Sequence, residues 1–182
     1  MMPQLPEAFC TRMQKQLGDE FPDFMLAMRL PAVRGIRMNP AKPCPQFRES
    51  VTGDVIPWAA ESIYMQSGSA AGSTIFHDAG AYYIQDPSAM IPAAVLDAKP
   101  GERILDLCSA PGGKATQIGA AMASKGLLVC NEPIGKRAAV LSGNIERMGI
   151  RNALVVSAYP DQLAGNWPEG FDAVLADVPC SG

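Results

Sequence analysis

The sequence predicts an α/β protein, with a small α+β domain over residues 1–80 followed by the first half of a doubly wound parallel sheet over residues 81–182. Three observations lead there. Beyond residue 81 short apolar runs alternate with helical patterns, the signature of βαβ units. One run, Ile104-Leu105-Asp106-Leu107, opens into a glycine-bearing turn that starts a helix, which is where such sheets bind ligands. Before residue 81 the texture differs, punctuated by Pro31, Pro40, Pro43, Pro45 and Pro57 and by the loose Ser67–Ser73 run.

The elements follow in order. Phe9, Met13, Leu17, Phe21, Phe24 and Met28 recur at spacings of three and four, which predicts helices over about 6–17 and 21–29 with these residues as a modest core. Short strands and turns come next. Tyr82-Tyr83-Ile84-Gln85 reads as a strand, and Asp86-Pro87 as an N-cap and first-turn proline for a helix through Leu96, broken by Pro100-Gly101. Then come a strand at 103–107, a helix at about 114–124, a Lys125-Gly126 turn and a strand at 127–131. A helix at 134–148 ended by Gly149, a strand at 153–157, a loop to Gly170 and a buried strand at 172–176 complete the order.

Composition narrows the class. Hydrophobic content of 48% with 18% charged residues is that of a folded globular chain, and no apolar run nears the roughly 20 residues that span a bilayer. The start, Met1–Glu7, lacks the basic and apolar regions of a signal peptide, so a cytoplasmic protein without membrane partners is expected. Five cysteines form no CxxC pair and no Cys/His cluster, which disfavours zinc and disulfides, so no metal is expected. The net charge is −3, yet residues 24–48 carry five of the 15 basic residues (Arg29, Arg34, Arg37, Lys42, Arg48) and none of the 18 acidic ones. That segment suits phosphate contact, with a solvated basic face as the plainer reading.

The turn after the predicted strand, Cys108-Ser109-Ala110-Pro111-Gly112-Gly113-Lys114, brings two glycines to a helix start. Glycines let the backbone approach a ligand, and a helix N-terminus favours an anion. The dinucleotide pattern G-x-G-x-x-G is absent. The phosphate-loop pattern fails at Cys108 and Ala115, which stand where a glycine and a Ser/Thr belong. At the end of the next strand Glu132 lies about 20 residues on, where an acid accepts ribose hydroxyls. A nucleoside bearing a carboxylate satisfies both features, and S-adenosyl-L-methionine is such a molecule.

Asp106–Lys114 and the closing Asp177-Val178-Pro179-Cys180-Ser181-Gly182 resemble the paired signatures of the Nop/Sun family of RNA cytosine-5 methyltransferases. Arg34-Gly-Ile-Arg-Met-Asn-Pro40 and Tyr83–Met90 resemble that family's N-terminal signatures in the same order, and the nearest likeness is to bacterial 16S ribosomal RNA methyltransferases of the F type. The resemblance implies a Rossmann-like methyltransferase sheet in which Cys108, Ser109, Ala110, Pro111, Gly112, Gly113 and Lys114 wrap the methionine end of the cofactor. Glu132 would hold the ribose, and Asp177 would lie beside both cofactor and target cytosine. Arg34, Arg37 and Asn39 are the implied RNA contacts, on a substrate that is ribosomal RNA or the small ribosomal subunit. The family's adenine-contacting aspartate falls at Ser157–Pro160, with Asp161 displaced by about two residues, and Val178 replaces the usual alanine.

Cytosine carbon 5 is a poor nucleophile, so a thiolate must first add to carbon 6. By resemblance the attacking thiol belongs to a later Thr-Cys motif, Cys180 assists release, and Asp177 stabilises the adduct near ring nitrogen 3. No such later motif occurs in these 182 residues, so the chain is expected to be an N-terminal fragment without turnover. Two alternatives stay open at this point: a non-catalytic RNA-binding module, and a methyltransferase acting on transfer RNA.

Overall fold

A computed structural model describes residues 5–65 and 70–178 and groups the chain into two units, 1–32 and 33–182. The first unit holds helices α1 (Glu7–Leu17) and α2 (Phe21–Ala27), joined by a single 3-10 turn. Phe24 lies 6.3 Å from Phe9 and 6.4 Å from Phe21, ring centre to ring centre. These rings are half-buried, neither helix has a fully buried residue, and Met28 is exposed rather than core.

The second unit contains two sheets. Strands β1 (Arg34–Met38), β2 (Ser62–Met65) and β3 (Tyr82–Gln85) form an antiparallel sheet in the order β2-β1-β3. Short helices α3 (Pro45–Ser50) and α4 (Ile75–Asp78) cover it, with Phe47 stacked 4.2 Å from the fully buried Tyr82 ring. Tyr82–Gln85 is thus the predicted strand, but it pairs with β1 instead of opening the parallel region. The antiparallel sheet reaches past residue 80, and the expected domain boundary there falls between paired strands.

After Asp86, whose carboxylate accepts from the Ser88 amide at 2.8 Å, a 3-10 turn leads into α5 (Ile91–Leu96). Then β4 (Arg103–Asp106), α6 (Gly113–Ala121), β5 (Leu127–Asn131), α7 (Gly135–Met148), β6 (Ala153–Val156), α8 (Pro160–Asn166) and β7 (Ala173–Leu175) alternate. All four strands are parallel, in the order β6-β5-β4-β7. Ile104, Leu128 and Cys130 meet Ile118, Met122, Leu141 and Met148 in one core, all within 1% of complete burial. Each large side chain there contributes roughly 1.5–3 kcal/mol. The chain runs outward from β4 through β5 and β6, then returns to the other side of β4 as β7. That reversal makes the C-terminal ends of β4 and β7 the topological switch point, where open α/β sheets bind ligands.

Two expectations change. The segment after β6 is not all loop: Pro160 occupies the first turn of α8, the Gln162 side chain accepts from the Tyr159 amide at 2.9 Å, and Leu163 is buried. The strand at 172–176 is not buried throughout. Among the described residues β7 lies at the sheet edge, so Leu175 packs inward while Val174 is 52% exposed.

Candidate cofactor and nucleic-acid site

The glycine-bearing turn is held from both sides. Leu107 N–H donates to Leu175 O at 2.9 Å, Ser109 N–H to Asn131 O at 2.8 Å, and the Asn131 amide to Leu107 O at 3.0 Å. Asn144 on α7 donates to Pro111 O at 2.9 Å. Gly112 then turns with φ +113° into the N-terminus of α6, where a Cβ would lie 3.3 Å from Leu141. Only glycine takes this conformation without strain. The turn is therefore fixed in advance, with the first-turn amides of α6 free of partners within the helix.

Five charged groups gather around it. Asp106 ends β4 fully buried, and among the described residues neither of its carboxylate oxygens has a well-aligned hydrogen-bond partner. Burial pushes its carboxyl up to about 6, an effect opposed by the nearby Ser109 hydroxyl, Cys108 amide and Lys114 ammonium. Lys114 Nζ, from the first turn of α6, lies 2.6 Å from Asp177 Oδ2 beyond β7. Glu132, 1% exposed just past β5, receives the Ile134 amide on Oε1 at 3.0 Å. Its Oε2 faces Arg137 Nη1 at 3.2 Å, an ion pair without hydrogen-bond alignment, and Arg137 also donates to Ala110 O at 3.2 Å.

The predicted cofactor residues thus converge. Cys108 to Lys114 form one turn, and Glu132 and Asp177 flank it from the neighbouring strand ends. The set fits S-adenosylmethionine by its donors. An anion-favouring helix start suits a carboxylate, the Glu132 oxygen held only by the Arg137 ion pair suits ribose hydroxyls, and the buried Asp106 carboxylate suits the cationic end. Burial, reinforced by Glu132 and Asp106, pushes the Cys108 thiol up, so this cysteine lines the turn as a thiol.

Cys180, the predicted catalytic thiol, lies outside the described residues. Asp161 sits exposed in the first turn of α8. Asp106 and Arg137 were missed by sequence reasoning, although an acid ending the strand before a glycine turn and an arginine five residues beyond Glu132 were available signals.

The predicted RNA contacts divide. Arg34 is exposed at the start of β1. Arg37 and Asn39 are 4% and 2% exposed and their side chains bond within the chain, so they do not form a phosphate-facing patch. Arg37 donates to Gln85, Gly113 O, Gln117 and Thr116, while Asn39 donates to Gly80 O and Met148 O at 2.8 Å. With Lys42 on Arg147 O at 2.7 Å, Asn39 satisfies terminal carbonyls of α7. These residues fasten the antiparallel sheet to α6 and α7. Among the described residues no helix is long and apolar enough to cross a membrane.

Residues 5–87 match the family model for the N-terminal domain of 16S rRNA methyltransferase RsmF, and residues 93–182 match that for 16S rRNA methyltransferase RsmB/F. The chain is 37% identical to ribosomal RNA small subunit methyltransferase F of Escherichia coli O1:K1 over 97% of its length, and 36% identical to that of Vibrio campbellii over 98%. It spans 40% of the length of each. A methyltransferase homologue from Pyrococcus horikoshii superposes with a TM-score of 0.84 at 27% identity, over 98% of this chain and 60% of the other. NSun6 from the same organism superposes at 0.80 with 18% identity, over 96% of this chain and 71% of the other, and shares the fold.

Proposed function

Because the chain belongs to the RsmB/F group of Nop/Sun-type RNA methyltransferases, we propose that it forms the cofactor-binding and base-recognising part of an S-adenosylmethionine-dependent enzyme that methylates carbon 5 of a cytosine in 16S ribosomal RNA. One observation supports this reading most: the 2.6 Å contact between Lys114 of the first signature motif and Asp177, the residue that opens the second.

S-adenosylmethionine, when bound, supplies an electrophilic methyl group. The Cys108–Lys114 turn takes the methionine end, its helix start receiving the carboxylate. Glu132 takes the ribose hydroxyls once Arg137, whose side chain is 48% exposed, turns aside. Asp177, oriented by Lys114, faces the nitrogen-3 edge of the cytosine and relays the proton that this nitrogen takes up as a thiolate adds to carbon 6. Cys180 follows on the same segment and assists release of the base. Arg34 at the head of β1 contributes to RNA phosphate contact, within an N-terminal region that delivers the substrate.

A polypeptide of these 182 residues contains no Thr-Cys pair, so on its own it binds cofactor without methylating RNA. Incubation with labelled S-adenosylmethionine and unmethylated small ribosomal subunits tests this, alongside a chimaera that continues the chain with the remaining part of the E. coli relative. The reading predicts cofactor binding by both and incorporation into cytosine by the chimaera alone. Cysteine-dependent incorporation by the 182-residue chain, or methylation of another base by the chimaera, contradicts it.

A further inference from the structure

Arg37 is an interior guanidinium without an acid. It is 4% exposed and forms no ion pair among the described residues. Its partners are all neutral: Gln85 Oε1 at 2.7 Å, Gly113 O at 2.8 Å and Gln117 Oε1 at 3.2 Å from Nη1, and Thr116 Oγ1 at 2.7 Å from Nη2. Three of the four belong to the first turns of α6. Thr116 in turn donates to Gly112 O at 2.7 Å, and Gly113 packs so closely on Gln85 that a Cβ there would meet its amide carbon at 3.1 Å. A buried charge is costly unless an opposite charge compensates it. The hydrogen bonds engage both terminal nitrogens but leave the charge uncompensated, and burial lowers the guanidinium only to about 10, so it stays charged at neutral pH. Tyr83, whose ring centre lies 5.4 Å away, offers only its π face.

We propose that Arg37 is a positioning residue for the cofactor: from beneath α6 it fixes the Gly112–Gly113 turn and adds a full positive charge to the helix end that receives the methionine carboxylate. The proposal rests on the cofactor reading above and assigns this role to a residue of the antiparallel sheet. The helix end alone is worth roughly half an elementary charge, and a guanidinium hydrogen-bonded to its first carbonyl strengthens it. The carboxylate supplies the compensating charge in return. An arginine that looks like an RNA contact in the sequence thereby acts on the other substrate.

Calorimetry with S-adenosylmethionine and with its decarboxylated form separates this role from a structural one. The wild type is expected to prefer the carboxylate-bearing form, and Arg37→Gln to reduce that preference by about tenfold, with the decarboxylated form bound nearly as before. Arg37→Lys, which keeps the charge, restores most of the preference. Gln85→Glu sets an anion against Arg37 without truncating it and is expected to act like Arg37→Gln, which decides the matter if Arg37→Gln fails to fold. Equal losses for both ligands, or an unchanged preference in folded variants, overturn the proposal. A wild type that binds neither ligand overturns the cofactor reading itself and this proposal with it.

Discussion

Lys114 and Asp177 stand 63 residues apart in sequence and 2.6 Å apart in space, one on the first turn of α6 and the other just beyond β7. Their side chains are 21% and 51% exposed, so the pair contributes under about 1 kcal/mol to stability. Lys114→Met and Asp177→Asn should therefore each shift the thermal midpoint by no more than a few degrees. In the methylating chimaera both should lower incorporation by at least about a hundredfold, as loss of a positioned proton-relaying acid or its orienting partner does. Radiolabel incorporation and thermal melts on the same preparations check this; a parallel loss of stability and activity would assign the pair to the fold.

Asp106 predicts an acid dependence. Its carboxyl holds a proton up to about pH 6 in the native state and only to its ordinary value of 3.8 when unfolded. Between these values the native state binds more protons, so the contribution is full below 3.8 and is lost as pH rises through 6. The difference amounts to about 3 kcal/mol. Urea titrations of the ligand-free chain from pH 4 to 7 should show Asp106→Asn without this decline, which the wild type retains.

Cys130 should be inert. Fully buried on β5 beside Asp106, its thiol is pushed up to about 12 by desolvation and then by that neighbouring acid. Native protein at pH 8, treated with a thiol reagent and mapped by peptide mass, should carry label at the partly exposed Cys10 and Cys44 before Cys130. Urea should remove the protection. Rapid labelling of Cys130 in folded protein would contradict the packing of β5.

Arg34 remains the RNA-contact candidate of the β1 segment. Arg34→Ala should weaken binding to a 16S-derived RNA at every sequence and reduce the salt slope by about 0.7–0.9. Filter binding across a salt series measures it. An unchanged slope would remove Arg34 from the interface.

The unit of β4, turn, α6, β5 and Glu132 is legible in the sequence because its signals are local: apolar runs, glycines and an acid at fixed offsets. The fate of Arg37 and Asn39 is not. Both sit in an acid-free basic stretch, and a count of nearby charge cannot see acceptors on Gly113, Thr116 and Met148, more than 70 residues away. Helix α8 escaped for a different reason. Pro160 and Gly165 in a short polar segment read as loop, whereas the burial of Leu163 and the Gln162 bond to Tyr159 stabilise a helix that propensity alone would not predict. Strand β7 reads as buried from its composition, yet only neighbours on both sides could bury it.

Glu132 and the Cys108–Lys114 turn are proposed to hold S-adenosylmethionine together. The decisive measurement is calorimetric titration of the 182-residue chain with S-adenosylhomocysteine, wild type against Glu132→Ala. The wild type should bind one-to-one and the variant at least about tenfold more weakly, with circular dichroism unchanged. Equal affinity in the two proteins, or no heat from a folded wild type at millimolar ligand, would contradict it.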